Sequence, residues 1–350
     1  MSPLSAPDST FRADPVRADA ACPVLGRAPV GAALPVMMTP RGRDESLMDA
    51  FEFLRTEIDS MLDEVGGVLL RGFSVPSVDA FREFAAAFKY PLLSYEFAST
   101  PRSAVSAGIY TSTEYPAHQH IPLHSEQAYT REWPMKIWFH CVTASSVGGE
   151  TPVADNRAIY DRMPAKIRER FAAGLLYVRN YGELDVPWQK VFGTESREVV
   201  EAFCRRARIE WEWKPSGELR TRQLCQGIEM HPRTHAPLWF NQAHLFHISN
   251  LQPDVRETLI EVLGLENVPR DVHFADGKPI PDTVLDEIRG VLAEQAVIFP
   301  WHAGDVLMLD NMRVSHARTP FKGARKVVVA MAEPHGNLER DLHRSAGDPR

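Results

Sequence analysis

Three side chains that could bind one metal ion stand out in the sequence. His124 and Glu126 are separated by a single residue, while His316 lies far downstream and is followed by Arg325. Two imidazoles and one carboxylate can occupy one face of an octahedral metal and leave the opposite face open, as in the facial triad of non-haem Fe(II) sites. An arginine beside the open face could hold a bound carboxylate through two parallel hydrogen bonds. The pattern therefore predicts a metal centre with room for a carboxylate ligand.

The His-x-Glu spacing by itself is a weak signal. The chain contains 13 histidines, so such a triplet also arises by chance. His118 and His120 form a second closely spaced pair, and spacing alone leaves them open as ligands, although we favour a solvated loop, or contacts to the metal ligands, for them. Residues i and i+2 of a strand point to the same face. We therefore expect His124 and Glu126 on one strand, and His316 just beyond the end of another.

Two helices are predicted in the N-terminal part of the chain. Apolar residues recur at helical spacing along one face and define the first helix, which should end at Gly66 and Gly67. A second helix is expected to begin at Ser77 or Asp79 and to run through Tyr90. The first helical face consists of Leu47, Phe51, Leu54, Ile58 and Met61.

From about residue 106 the pattern changes to short strands between turns, which is typical of a β-sandwich or barrel. Strand-like runs occupy 109–113, 136–142, 176–180, 219–229, 237–241, 296–299, 306–309 and 325–332. Helical patterns interrupt them near 156–173, 196–207, 253–264 and 283–293. We predict an α+β fold with a flexible segment at 1–25 and a single domain at 26–340. Helical and loop insertions are expected at about 156–207 and 244–295.

Composition narrows the class of protein. The formal charge of −7 and the absence of a basic stripe argue against a nucleic-acid partner. No apolar run approaches the length of a membrane span, and the first residues do not form a secretory signal. The 4 cysteines include no CxxC pair, which favours reduced thiols. We expect a cytoplasmic protein.

Several motifs strengthen the metal hypothesis when they are taken in order. The segments are PLHSEQAY, then WPMKIWFHCVT, then GGETPVADNRAIY, and finally DN followed by SHARTPFKGARKVVVAM. This set resembles the Fe(II)/2-oxoglutarate dioxygenases of the taurine dioxygenase (TauD/TfdA) superfamily, and within it the clavaminate-synthase-like and SyrP-like branch. The resemblance covers about residues 106–332. It implies a double-stranded β-helix core (jelly-roll, cupin-like) with flanking helices.

The resemblance also assigns roles to residues. It makes His124, Glu126 and His316 the iron ligands. Thr151 matches the family threonine that helps to hold the 2-oxoglutarate carboxylate, and Arg325 matches the arginine that pairs with its distal carboxylate. Many members have aspartate at the position of Glu126, and a carboxylate of either length argues against a halogenase, where a small residue leaves room for chloride.

For other residues, the sequence leaves more than one interpretation open. Arg318 could reach 2-oxoglutarate or the substrate, or it could form an ion pair with Asp310. Asn241 could orient the substrate, although a strand-end asparagine that satisfies a turn is at least as good an explanation. His244 and His247 are candidates for a mobile lid.

The resemblance implies an oxygenase that uses Fe(II), 2-oxoglutarate and O2 to hydroxylate an unactivated C–H bond. The expected substrate is a small molecule of secondary metabolism, an amino acid or a derivative of one, free or tethered to a carrier protein. The same centre could perform desaturation, cyclisation or epoxidation. A silent metal-binding sandwich that acts as a sensor or scaffold, and a zinc hydrolase, are further alternatives, but they leave Thr151 or Arg325 without a role. The sequence allows a homo-oligomer.

Overall fold

The computed structural model describes residues 24–30, 33–42, 44–93, 104–106, 108–112, 115–182 and 186–342. The strands are β1 (Val24–Pro29), β2 (Val36–Pro40), β3 (Gly67–Leu70), β4 (Ala104–Ser106), β5 (Ile109–Thr111), β6 (Ile121–His124), β7 (Glu132–Thr143), β8 (Val147–Gly148), β9 (Val153–Asp155), β10 (Leu175–Tyr181), β11 (Glu210–Trp213), β12 (Leu219–Cys225), β13 (Ile228–Met230), β14 (Pro237–Trp239), β15 (Arg270–Phe274), β16 (Val306–Asp310), β17 (Val314–Arg318), β18 (Phe321–Lys322) and β19 (Lys326–Gly336). The α-helices are α1 (Phe51–Glu64), α2 (Val78–Ala87), α3 (Asn156–Arg162), α4 (Ala165–Ala172), α5 (Trp188–Phe192), α6 (Arg197–Arg206), α7 (Ala243–Phe246), α8 (Pro253–Leu263) and α9 (Asp282–Gln295).

An eight-stranded sheet forms the largest layer, with the strand order β1-β2-β3-β16-β7-β19-β5-β4. Its pairs are antiparallel except for β2 with β3. Successive side chains of the central strand β7 point to opposite faces. Trp138 therefore packs with Phe51 and Phe84 under helices α1 and α2, whereas Phe139 packs on the other face. The sheet thus has a helical layer on one side and a second sheet on the other.

A three-stranded sheet, β6-β17-β9, covers that other face of the large sheet. Val153 of β9 and Val314 of β17 are buried in the same core as Ile137 and Leu307 of the large sheet. The two sheets therefore pack face to face, with an apolar layer between them.

Residues between β9 and β16 form a further unit with its own sheet, in the order β11-β12-β10-β15. Helices α3, α4, α7 and α9 pack on one side of this unit around Phe171 and Leu285. Helices α5 and α6 pack on the other side around Trp188 and Val200. Both segments that the sequence marks as insertions lie in this part of the chain.

The N-terminal predictions are confirmed with small changes. All five residues of the predicted apolar face are buried, and α1 ends at Glu64 just before Gly66, whose φ of 85° turns the chain into β3. Helix α2 ends at Ala87 instead of Tyr90. Residues 1–23 lie outside the described part of the chain, while Val24 and Leu25 belong to β1.

Two strand predictions are wrong in detail. The run 219–229 divides into β12 and β13, and between them Gly227 passes so close to Phe171 that an added Cβ would lie 2.3 Å from its carbonyl oxygen. The run 296–299 is not a strand, since α9 continues to Gln295 and only Val297 pairs, as an isolated bridge to Val153. Among the helices that the structure describes, none combines the length and apolar character that crossing a lipid bilayer requires.

The structure chooses between the two predicted caps of α2, and this choice can be tested. The Ser77 side chain accepts a hydrogen bond from the Ala80 backbone N–H at 3.1 Å, whereas Asp79 lies inside the helix. Replacing an N-cap serine with alanine costs about 1 kcal/mol. We expect Ser77→Ala to lower the free energy of unfolding by about that amount in urea titrations. Asp79→Ala is the control, and an equal or larger loss in that variant would contradict the assignment of the cap.

Candidate metal centre

The two histidines of the predicted triad face each other across one strand pair. His316 lies in the middle of β17, and its register partner on β6 is His124. Their ring centroids are 4.5 Å apart. His124 Nδ1 lies 2.8 Å from the Pro122 carbonyl oxygen, so this nitrogen carries the proton and donates it. The lone pair of His124 is therefore on Nε2, the nitrogen that a metal could use.

Two of our positional predictions are wrong. His316 is inside strand β17 and is buried, because the turn at 310–313 is tight and the next strand begins at Val314. Glu126 is not on a strand with His124: β6 ends at His124, and Glu126 lies in the turn that follows. The glutamate nevertheless points inward and is 5% exposed.

The three side chains converge on one point. One nitrogen or oxygen atom from each of His124, Glu126 and His316 lies within 4.8 Å of the other two. Borderline imidazole nitrogens and one carboxylate oxygen suit Fe(II), and three protein donors leave positions open for other ligands. Among the described residues, no fourth histidine, cysteine or acid joins this group. The residues present therefore fit an open metal site.

Thr151 lies beside the two histidines, on the segment that precedes β9. This segment runs antiparallel to β17, with the Ala317 N–H donating to the Pro152 carbonyl at 2.8 Å. Thr151 is buried, and its hydroxyl oxygen accepts a hydrogen bond from the Trp301 indole N–H at 3.0 Å. Because the oxygen already accepts that proton, the threonine hydroxyl can direct its own hydrogen toward a ligand.

Arg325 reaches the same cavity from the residue just before β19. Its Nε donates to the Gly149 carbonyl at 2.8 Å, its Nη1 donates to the Ser112 hydroxyl at 3.3 Å, and the Phe321 ring lies 5.5 Å from the guanidinium. Burial, with a smaller contribution from the nearby positive charge of Arg318, lowers the pKa of Arg325 to about 10. The side chain is therefore still charged at neutral pH, in a setting that favours an anionic ligand.

The pair Gly148 and Gly149 makes this arrangement possible. Both have positive φ, 68° and 76°, a region that favours glycine. A Cβ on Gly148 would lie 2.1 Å from the Pro320 carbonyl oxygen, and a Cβ on Gly149 would lie 2.9 Å from Cδ of Arg325. Glycine is thus required where the Arg325 side chain crosses the backbone.

Arg318 lines the same cavity as the histidines but does not contact Asp310 as one interpretation predicted. Its guanidinium donates to the backbone carbonyls of Tyr115, Pro116 and Gln119 at 2.8–3.0 Å. The side chain therefore fixes the loop 115–119, next to the site. Asp310 instead interacts with other cations, described below.

The structure shows what surrounds Asn241 and the two lid candidates, His244 and His247. Both ends of the Asn241 amide bind backbone groups, Gly227 O at 2.7 Å and Ala243 N at 3.1 Å, which matches the turn explanation. His244 and His247 are buried, and their role as lid residues stays a prediction. The pair His118 and His120 is exposed in a loop, as favoured, and does not join the triad.

Sequence reasoning missed several side chains that hold the site. Trp301 binds Thr151, and Asn311 binds the backbone of Glu126. Gln242 donates to the Ser125 carbonyl and Asn156 to the Ser125 hydroxyl. In the sequence, only the DN motif at the end of β16 pointed to one of these residues, Asn311. The contacts themselves join residues that are distant in the chain, so no short motif contains both partners.

The chain is similar to known proteins over most of its length. The family model described as taurine catabolism dioxygenase TauD, TfdA family, matches residues 38–331. Dapdiamide synthesis protein DdaC from Enterobacter agglomerans is 40% identical over 311 residues, which cover 88% of this chain and 94% of the relative. A clavaminate synthase-like protein of Arabidopsis thaliana is 34% identical over 289 residues, 79% of this chain and 84% of the relative.

Solved structures share the fold. A taurine dioxygenase from Burkholderia xenovorans superposes with a TM-score of 0.55 at 15% identity, covering 91% of this chain and 93% of its own. PvcB from Pseudomonas aeruginosa superposes with a TM-score of 0.53 at 15% identity, covering 94% and 95%.

The buried histidine next to the site predicts a pH dependence of stability. His244 donates from Nε2 to the Leu123 carbonyl at 2.8 Å. Burial lowers its pKa from 6.5 to about 4, with the Leu123 contact opposing the shift. The unfolded chain therefore binds this proton first, so the stabilising contribution of neutral His244 is complete above pH 6.5 and is lost as the pH falls toward 4.

We expect acidification from pH 7 to 5 to cost on the order of 2 kcal/mol through this residue. The glutamine variant His244→Gln cannot titrate and should have a shallower decline of unfolding free energy over this range. The exposed His302→Ala variant serves as control. Parallel pH profiles for wild type and His244→Gln would contradict the shift.

Proposed function

Because this chain belongs to the TauD/TfdA family of dioxygenases, we propose that His124, Glu126 and His316 hold its catalytic iron. The family relation makes the chain a 2-oxoglutarate-dependent dioxygenase with Fe(II), 2-oxoglutarate and O2 as its cofactor and co-substrates. The single observation that supports the ligand assignment is the convergence of three donor atoms within 4.8 Å. When bound, the iron would bring together O2, which is the oxidant, and 2-oxoglutarate, which supplies two of the four electrons that O2 takes up, while the substrate C–H bond supplies the other two.

Arg325 and Thr151 would hold 2-oxoglutarate. The hydrogen bonds from Nε and Nη1 of Arg325 fix the plane of its guanidinium, and a planar guanidinium binds a carboxylate through parallel hydrogen bonds. The Thr151 hydroxyl, whose oxygen is occupied by the Trp301 N–H, would donate its proton to a carboxylate oxygen. Both residues line one cavity with His124 and His316.

The apolar walls of that cavity support an oxidation protected from solvent. Phe139 and Val329 of the large sheet line it opposite the histidines, and the Phe139 ring meets His316 edge-on at 4.9 Å between centroids. These walls exclude water and keep the local dielectric low, which strengthens the interaction of Arg325 with an anion. Arg318 would act by holding the loop 115–119 beside the cavity and only indirectly on 2-oxoglutarate.

The proposed reaction is hydroxylation of an unactivated C–H bond in an amino acid or amino-acid-derived metabolite, free or tethered to a carrier protein. The relative at 40% identity is named for the synthesis of dapdiamide, which supports a role in secondary metabolism. Product analysis would separate hydroxylation from desaturation, cyclisation or epoxidation at the same centre. Asn241 is too fully engaged with backbone to be our choice for a substrate contact.

The same proposal extends to the fold. We assign the large sheet and the β6-β17-β9 sheet to the two faces of a double-stranded β-helix, the jelly-roll that the family resemblance implies. The face-to-face packing of the two sheets around Phe139, Val153 and Leu307 supports this assignment.

The ligand assignment predicts the behaviour of two alanine variants. His316→Ala and Glu126→Ala should each lose turnover, because two remaining donors hold Fe(II) weakly. The measurements are anaerobic Fe(II) binding, the visible charge-transfer band that forms with 2-oxoglutarate, and succinate release. His302→Ala, an exposed histidine, is the control. Fe(II) binding and turnover retained in both variants would show that the ligands are different.

The carboxylate-binding role of Arg325 predicts that a substitution there changes chiefly the KM for 2-oxoglutarate. Arg325→Ala should raise the KM for 2-oxoglutarate by about 100-fold or more, since a buried, charge-assisted contact contributes about 3 kcal/mol. Arg325→Lys should recover only part of the loss, because lysine cannot form the two parallel bonds. The adjacent exposed residue provides the matched control Lys326→Ala. An unchanged KM in Arg325→Ala would refute the assignment.

A further inference from the structure

Glu126 differs from the two histidines in how its backbone is held. His316 lies in β17 between two paired strands, and His124 is its register partner on β6. Glu126 lies in a turn beyond the end of β6, where no strand ladder fixes its position. A glutamate also has more rotatable bonds than a histidine, so it loses more side-chain freedom when it binds a metal. If the carboxylate is to stay near the two imidazoles, the backbone of Glu126 therefore needs hydrogen bonds other than those of a strand ladder.

The side chain of Asn311 provides that support. Its Oδ1 accepts a hydrogen bond from the Glu126 backbone N–H at 2.7 Å, and its Nδ2 donates to the Glu126 backbone carbonyl at 3.0 Å. A carboxamide has the same donor and acceptor groups as a peptide bond. Asn311 thus binds both backbone groups of Glu126 as a neighbouring strand would.

Asn311 is itself held firmly. It is fully buried, its backbone N–H donates to the Met135 carbonyl at 2.9 Å, and its Nδ2 also donates to the Pro134 carbonyl at 2.8 Å. Both contacts lie on β7, in the middle of the large sheet. Asn311 therefore connects the Glu126 turn to β7, an interior strand of the large sheet.

The residue before Asn311 fixes the turn from which it projects. Asp310 is fully buried, and its Oδ1 accepts hydrogen bonds from the backbone N–H groups of Met312 and Arg313 at 3.1 and 3.0 Å. Its other oxygen interacts with Lys136 and His231 at 3.3 and 3.1 Å. The turn leads directly into β17, so the same few residues set the positions of His316 and Asn311.

We propose that Asn311 is a positioning residue for the metal centre, which sets metal affinity by holding the backbone of Glu126. The inference rests on the proposed role of Glu126 as a ligand. Asn311 touches neither the metal nor a substrate in this scheme. Its loss would leave the Glu126 turn free to sample positions from which the carboxylate does not reach the two imidazoles.

The test compares two buried asparagines whose Nδ2 groups both donate to backbone carbonyls. Asn180 of β10 is also buried, and its Nδ2 donates to the carbonyls of Val268 and Glu266 at 2.7 and 3.4 Å, within the four-stranded sheet unit. The variants are Asn311→Ala and Asn180→Ala. Each loses a buried amide, but only the first lacks the contact with Glu126. The readouts are the dissociation constant for Fe(II) alone, measured anaerobically, and the thermal unfolding of the metal-free protein.

Removing a group that orients a metal ligand usually weakens binding by about 10–100-fold. We expect Asn311→Ala to weaken Fe(II) binding within that range and Asn180→Ala to change it by less than about twofold, even where the two variants unfold at similarly lowered temperatures. Asn311→Asp keeps the volume and the acceptor for the Glu126 N–H but loses the donated bonds. Asn311→Asp replaces Asn311→Ala in the test if the alanine variant does not fold, and Asn180→Asp is then its control. We expect Asn311→Asp to weaken Fe(II) binding as well.

Two failures can be told apart by including Glu126→Ala. Wild-type affinity in Asn311→Ala, or a loss no greater than in Asn180→Ala, would overturn the positioning role if Glu126→Ala still loses the metal. Wild-type affinity in Glu126→Ala would instead overturn the proposed ligand set, and the inference with it.

Discussion

The antiparallel pairing of β17 with β6 on one side and β9 on the other is the constraint on which the site depends. It places His316 opposite His124 and Val153 and brings the Thr151 segment alongside. Because side chains alternate along a strand, a shift of one residue would turn His316 away from the cavity and into the opposite face. The packing of Val153 and Val314 against the large sheet resists such a shift, since it would expose apolar side chains of the shared core.

Local patterns predicted what depends on local physics. The apolar face of α1 follows from helical periodicity, and its end follows from Gly66, whose positive φ is a conformation that glycine adopts easily. The alternation rule failed at Glu126, because a side chain distant in sequence takes the place of a neighbouring strand. Similarly, His316 falls within a strand because buried Asp310 tightens the preceding turn. Contacts of this kind join residues far apart in the chain and leave no short-range pattern.

Behind the candidate centre lies a group of buried charges. Asp310 and Lys136 are both fully buried, and His231 and Arg233 approach the same carboxylate. Burial raises the pKa of Asp310, but the attraction of Lys136 and the hydrogen bond from His231 outweigh it and hold that pKa well below its ordinary value. Breaking one partner of such a group is costly, since an uncompensated charge remains in the interior. The turn that supports both Asn311 and His316 is thereby tied to an ionised carboxylate.

The burial of Arg325 has a consequence for the protein as a whole. No ion pair to its guanidinium is found in the part of the chain that the structure describes, and burial is the largest influence on its pKa. The free energy of folding therefore includes the cost of removing this guanidinium from water. A carboxylate bound beside it, as proposed, would supply a counter-charge and bind the folded state alone, so that ligand binding and folding would share one free energy. The concentration of a small dicarboxylate would then govern how much of this protein stays folded, as well as how fast it turns over.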